Sequence, residues 1–234
     1  MVQIYKDEAV IFDLDDLLYK EFDFMRSAFW EIAKNVDPVE PKKLFRSMMV
    51  QYFSGNKVLS WIATEYKHQN GKFSLDFLLN TYRSHKPDIS LNAETVQLLN
   101  RLKDNGNALG LITDGRSLTQ RNKIDALGLG IWIKDIVISE ELGFEKPSLE
   151  PYLYFTRKFS AQQYIYIADN YNKDFVAPNQ LGWRTIALLD NGLNIHYSKN
   201  NLQDVNIPLE TVNNFSLLGV SSFTPNYIGQ RLLR

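Results

Sequence analysis

Short apolar runs that stop at polar, chemistry-bearing residues constrain this chain more than any other feature. Ala9-Val10-Ile11-Phe12 ends at Asp13, Ala108–Ile112 at Thr113, and Tyr164–Ala168 at Asp169. Asp135–Ser139, with Ile136, Val137 and Ile138, and Arg184–Leu189 are two further runs. A strand with one wet face alternates apolar and polar residues, whereas a short continuous run suits a strand buried on both faces, as in a parallel sheet. Segments of helical length lie between the runs. Leu91–Asn105 carries apolar residues at 91, 98, 99 and 102 and stops at Gly106; Arg116–Leu127 stops at Gly128. Pro147–Phe159 opens on a proline, which a first helical turn tolerates. Strands alternating with helices predict an α/β fold with a doubly wound, mainly parallel sheet. Such sheets bind ligands at the carboxyl ends of their strands. Asp13, Thr113 and Asp169 all stand at predicted carboxyl ends, so three distant segments converge on one edge.

The stretch from Leu18 to Ser90 reads differently. Phe22, Met25, Phe29 and Ile32 are spaced 3, 4 and 3 apart, which is the stripe of an amphipathic helix. Leu44–Phe53, Val58–Tyr66 and Leu75–Tyr82 also read as helices, punctuated by Pro38, Pro41, Gly55, Gly71 and Pro87. The expected organisation is a catalytic core of residues 1–17 and 91–234 with a helical cap over 18–90 inserted after the first strand. The 234 residues and 44% hydrophobic content suffice for a core domain carrying a smaller one. Ile207–Phe223 reads as one strand or a short helix, and Pro225–Arg234 as a loose end.

Composition removes several function classes. The formal net charge is -1, so no basic field points to nucleic acid or an anionic membrane, and an anionic ligand must be held by a local site. The chain has no cysteine, which excludes disulfides, thiolate metal sites and cysteine nucleophiles. No stretch is long and apolar enough to span a bilayer, and the first residues, with Asp7 and Glu8, do not resemble a signal peptide. The expectation is a soluble cytoplasmic protein, a monomer or a homodimer, with neither nucleic acid nor membrane as partner. His68, His85 and His196 are scattered and take no role.

The residues at the predicted sheet edge form a chemical set. A carboxylate at Asp13 can attack phosphorus to give an acyl phosphate. A second carboxyl at Asp15 can protonate a leaving oxygen and then deprotonate a water. Carboxylates facing a phosphate repel it unless a hard divalent cation such as Mg²⁺ lies between, and Asp169 and Asp174 supply further oxygens for one. Lys146 supplies a fixed positive charge. Thr113 supplies a hydroxyl, with backbone N–H groups at Asp114 and Gly115 for phosphate oxygens. Each element taken singly also has a plain reading: Asp13 as a helix cap, Asp15 and Asp16 as surface acids, Thr113-Asp114-Gly115 as a turn, Lys146-Pro147 as a solvated loop, Asp169 and Asp174 as cap and first-turn acids. It is their occurrence in one order, each at the same edge, that favours the chemical reading.

FDLDDLLY, LITDGR, EKP and ADNYNKD, in that order over Ala9–Leu188, resemble the motifs of the haloacid dehalogenase superfamily, in its phosphoglycolate phosphatase-like and nucleotidase-like members with an α-helical cap after the first strand. The resemblance implies a Rossmann-like core, Asp13 as nucleophile and Asp15 as general acid/base. It implies Thr113 and Lys146 at the phosphate, and Mg²⁺ held by Asp13, the Asp15 carbonyl and Asp169, with Asp174 supporting the metal or Lys146. Leu17, Ala168 and Asp114 depart from the usual residues at their positions. The function so implied is a Mg²⁺-dependent phosphatase acting on a small phosphorylated metabolite. The alternatives are a sugar phosphomutase and a non-enzymatic binding protein. Dehalogenase chemistry is disfavoured, because Asp15 would have no alcohol to protonate.

Overall fold

The computed structural model describes residues 1–67, 71–195 and 202–223; His68, His196 and the end expected to be loose lie outside the described residues. In chain order the elements are β1 (Val2–Tyr5), β2 (Glu8–Phe12), α1 (Glu21–Val36), α2 (Pro41–Phe53), α3 (Val58–Glu65) and α4 (Leu75–Ser84). There follow α5 (Ala93–Asn105), β3 (Leu109–Thr113), α6 (Ser117–Ala126), β4 (Asp135–Ile138) and α7 (Ser139–Leu142). The last are α8 (Glu150–Lys158), β5 (Gln163–Ala168), α9 (Val176–Gln180), β6 (Arg184–Leu188), β7 (Glu210–Val212) and β8 (Leu218–Ser221). They divide into two compact units, Met1–Lys20 with Leu91–Gly115 and Leu129–Arg234, and Glu21–Ser90 with Arg116–Gly128.

The first unit is α/β, built on a six-stranded sheet in the order β4-β3-β2-β5-β6-β7. Every neighbouring pair in it is parallel. The fold is the doubly wound parallel sheet that the apolar runs predict. From β2 the chain winds outward through β3 and β4, then returns to β5 on the other side of β2 and winds outward again. The winding therefore reverses beside β2, and the carboxyl ends of β2 and β5 flank the crevice where sheets of this kind hold ligands. Strands β2 and β3 are buried throughout, which is why they read as unbroken apolar runs. One face of the sheet packs Ala9, Ile11, Tyr166 and Ala168 against Tyr152, Phe155, Phe175 and Trp183. Helix α5 runs as its pattern predicts, from Asn92, whose side chain caps the Thr95 N–H, to Gly106 at φ 82°, a left-handed stop that suits glycine.

Two local expectations change. Helix α8 begins at Glu150, not at Pro147, because residues 145–148 close a turn in which Ser148 N–H donates to Glu145 O at 2.9 Å; Pro151 takes the tolerated position in the first turn. The segment 207–223 holds two short strands, β7 on the main sheet and β8 paired in parallel with β1. Neither β1 nor β8 is continuous in burial, so neither carries the signal that marks the central strands.

The second unit is helical. Helix α1 buries Phe24, Met25, Ala28, Phe29, Ile32, Ala33 and Val36. Periodicity alone groups Arg116–Leu127 with the sheet, yet α6 packs in the helical unit. Its polar side chains explain this. Thr119 Oγ1 donates to Arg83 O at 3.0 Å, and Asn122 Nδ2 donates to the carbonyls of Ser84 and His85, each at 3.1 Å. These are the carbonyls that the end of α4 leaves without helical partners. Lys123 of α6 is buried, 3.7 Å from Glu21 and 4.4 Å above the Phe24 ring.

Packing in the sheet unit is close at Gly110 of β3, where a Cβ would lie 2.3 Å from the Phe155 ring. Gly110→Ala should therefore lower stability by about 1–3 kcal/mol through overpacking. Urea unfolding measures this, and Phe155→Leu in the Gly110→Ala background should restore part of the loss.

Candidate active site

The loops that follow β2, β3 and β5 carry the polar residues to the crevice, and the β4–α8 connection brings Lys146. After β2, Asp13 N–H donates to Ile167 O at 3.0 Å and so prolongs the β2–β5 ladder by one residue. Its side chain is buried and meets Lys146, with Nζ 2.8 Å from Asp13 Oδ1. Asp15, two residues on, turns elsewhere and accepts a hydrogen bond from the Tyr19 hydroxyl. Asp16, far from being a surface acid, is 2% exposed, adopts φ 58°, and accepts the Ile195 N–H at 2.9 Å. Leu17 is buried.

After β3, Thr113 is buried and Asp114 accepts the Lys146 N–H at 3.1 Å and the Lys173 ammonium at 2.8 Å. Gly115 sits at φ 138°, a backbone that favours glycine, and its N–H donates to Ser139 Oγ at 2.9 Å. Lys146 Nζ forms ion pairs with Asp13 Oδ1 and with Asp174 Oδ1 at 2.7 Å, and donates to the Tyr166 hydroxyl at 3.3 Å. Asp174 is fully buried; its second oxygen accepts the Asn170 N–H at 3.0 Å and its carbonyl accepts from Tyr152. Asp169 accepts a hydrogen bond from Asn194 Nδ2 at 2.8 Å.

One carboxylate oxygen from each of Asp13, Asp169 and Asp174 lies within 4.8 Å of the other two. The Asp15 side chain is not a member of that cluster. Burial lifts the Asp13 carboxyl to about 7; Lys146 opposes the rise and Asp174 adds to it. Burial, then the charges of Asp13, Asp174 and Asp16, lift Asp169 to about 9. Burial works against the Lys146 ammonium, but Asp13 and Asp174 outweigh it and hold its proton well above the usual range. Three clustered carboxylates thus face the Lys146 ammonium, with Lys173 acting more weakly on Asp13, and the surplus negative charge is what a divalent cation with oxygen ligands would balance. The donor set fits such an ion.

The model of the haloacid dehalogenase-like hydrolases matches residues 10–188, from β2 to the end of β6. The chain belongs to that family. The matched segment of this hydrolase contains Asp13, Thr113, Lys146, Asp169 and Asp174. A glyceraldehyde 3-phosphate phosphatase of Methanocaldococcus jannaschii is 26% identical over 200 residues, covering 78% of this chain and 85% of its own. The protein of that name from Methanothermobacter thermautotrophicus is 26% identical over 211 residues, covering 83% and 92%. Among solved structures, the HAD hydrolase YfnB of Bacillus subtilis with magnesium bound superposes with a TM-score of 0.57 at 19% identity, covering 89% of this chain and 95% of that one. At that identity the likeness speaks for the fold. Among the described residues no helix is long and apolar enough to cross a membrane.

Sequence reasoning assigns no role at this site to Tyr19, Lys20, Lys173 or Asn194. Tyr19 and Lys173 stand inside the quoted motifs and Lys20 directly after one, but their partners Asp15, Asn194 and Asp114 show only in the folded chain.

The raised Asp169 carboxyl has a consequence for stability. Its proton is lost near 3.8 in an ordinary setting and near 9 in the folded, metal-free protein, so across that window the folded state binds more protons. Its contribution is favourable below about pH 4 and is lost as pH rises towards about 9. In chelator at pH 8, Asp169→Asn should melt at least ~2 °C above the unmodified protein, a gap that closes towards pH 4. Differential scanning calorimetry across pH measures it.

Proposed function

We propose that the protein is a Mg²⁺-dependent phosphatase of small phosphorylated metabolites that works through an aspartyl-phosphate on Asp13. The observation that carries this reading is the buried Lys146, which grips Asp13 and Asp174 at the switch point of the sheet, beside Asp169. Family membership and relatives named as phosphatases support it.

Asp13 presents one carboxylate oxygen to phosphorus. As the new O–P bond forms, the bond to the leaving alcohol oxygen breaks, and Asp15 delivers the proton that the alcohol needs. Asp15, now ionised, takes a proton from a water that attacks the acyl phosphate; inorganic phosphate leaves and Asp13 is regenerated. The Tyr19 hydrogen bond holds the Asp15 carboxyl apart from the carboxylate cluster, so the nucleophile and the acid are separated by their partners. Lys146 offsets the charge of the nucleophile and keeps its own proton throughout. The Thr113 hydroxyl is the donor for a phosphate oxygen. Mg²⁺, held by Asp13 and Asp169 with Asp174 behind them, would offset the charge of the transferring group and favour the ionised nucleophile. Asp114 is committed to Lys146 and Lys173, so its side chain repels substrate phosphate less than a lone acid would. Among substrates, triose phosphates come first, because the relatives at 26% identity are named for glyceraldehyde 3-phosphate.

Phosphate release from a panel of phosphomonoesters headed by glyceraldehyde 3-phosphate tests the reading. Release should require Mg²⁺, stop with chelator, and fall ~1,000-fold or more in folded Asp13→Asn. Unchanged turnover in that variant would remove Asp13 as nucleophile.

A further inference from the structure

The turn that follows β6 lies beyond the segment that the family model matches, yet it enters the site. Asp190 Oδ1 accepts the N–H groups of Gly192, Leu193 and Asn194 at 2.8, 3.1 and 3.1 Å, which fixes the turn internally. Asn194, 6% exposed, then spans two charged groups: its Nδ2 donates to Asp169 Oδ2 at 2.8 Å and its Oδ1 accepts Lys20 Nζ at 2.5 Å. A lysine only donates, so it takes the amide oxygen and leaves the amide nitrogen to face Asp169. The next residue, Ile195, donates its N–H to Asp16 Oδ2 at 2.9 Å, and Lys20 Nζ also reaches Asp16 O at 3.5 Å. One turn is thus fastened to the loop after β2 and to the loop after β5, which together carry Asp13 and Asp169.

We propose that Asn194, held by Lys20, is a positioning residue of the metal site, which sets the orientation of the Asp169 carboxylate and thereby the affinity for Mg²⁺. The proposal rests on the reading of Asp169 as a ligand of that ion. The chemistry of the side chain suits the task. A lysine or arginine in direct contact with Asp169 would neutralise it and compete with the cation. An amide fixes the carboxylate and leaves its negative charge in place, while the Lys20 charge stays one hydrogen bond away. Partners of this kind around ligands typically alter metal affinity 10–100-fold.

Calorimetric titration with Mg²⁺ tests this on the full chain, with Asn194→Ala, Lys20→Met and a control, Leu193→Ala, whose side chain is 52% exposed in the same turn. Asn194→Ala should weaken Mg²⁺ binding ~10-fold or more, Lys20→Met should weaken it in the same direction, and Leu193→Ala should match the unmodified protein. The Mg²⁺ concentration for half-maximal phosphate release should rise with the dissociation constant, with the rate at saturating Mg²⁺ largely kept. Equal affinity in folded Asn194→Ala, or equal weakening in Leu193→Ala, overturns the proposal. If Asn194→Ala does not fold, unmodified affinity in folded Lys20→Met overturns it. Failure of the unmodified protein to bind Mg²⁺ at all would instead remove the metal reading itself.

Discussion

Lys146 brings an ammonium group into the interior, and most of the site follows from how that charge is accommodated. An isolated buried ammonium costs several kcal/mol, and only well-placed partners offset it. Here the partners come from two loops that are far apart in sequence, Asp13 after β2 and Asp174 after β5. The sheet makes the meeting possible, because β2 and β5 are neighbours in register, with Phe12 opposite Ile167. The aromatic face of the core closes the pocket around the charge. Tyr152 and Tyr166 stand edge to face at 5.0 Å, and their hydroxyls reach Asp174 and Lys146. The same packing that stabilises the sheet thus keeps water from the lysine and strengthens its pairing.

The charge balance then directs the chemistry. Asp114 and Lys173 pair with each other, and Asp13, Asp169 and Asp174 face chiefly Lys146, with Lys173 a weaker influence on Asp13. Burial above all, with neighbouring carboxylates adding to it, raises the carboxyl groups of Asp13 and Asp169, whereas a nucleophile must be ionised to attack. A divalent cation removes the conflict by favouring the ionised forms. The Asp15 carboxyl is turned to a neutral hydroxyl on Tyr19. Two aspartates two residues apart therefore occupy different environments, a condition for one to act as nucleophile and the other as acid.

The central strands are legible in the sequence because burial on both faces makes Ala9–Phe12 and Leu109–Ile112 apolar without interruption. The strands at the margins are not, since Val2–Tyr5 and Leu218–Ser221 are half-covered and too short for a period to show. The grouping of Ser117–Ala126 with the helical unit escapes periodicity because its attachment is polar, through Thr119 and Asn122 to carbonyls of another helix. In the site, one residue per loop is legible, since Asp13, Thr113 and Asp169 each end an apolar run. Asn194 and Lys20 are illegible for the converse reason. Their meaning lies in a hydrogen bond spanning 174 residues of sequence, within a stretch whose asparagines read as ordinary turn formers. Asp16 likewise shows its burial and its positive φ only once the loop is folded.

Surplus carboxylate charge that a divalent cation relieves organises the site, so the decisive quantity is the number of protons displaced when the ion binds. Titrating Mg²⁺ calorimetrically at pH 8 in two buffers of different ionisation enthalpy counts them. With the Asp169 carboxyl raised to about 9, binding at pH 8 should release roughly one proton per ion. Mg²⁺ binding with no proton release would show that the clustered carboxylates are already ionised and would contradict the charge balance proposed for the site.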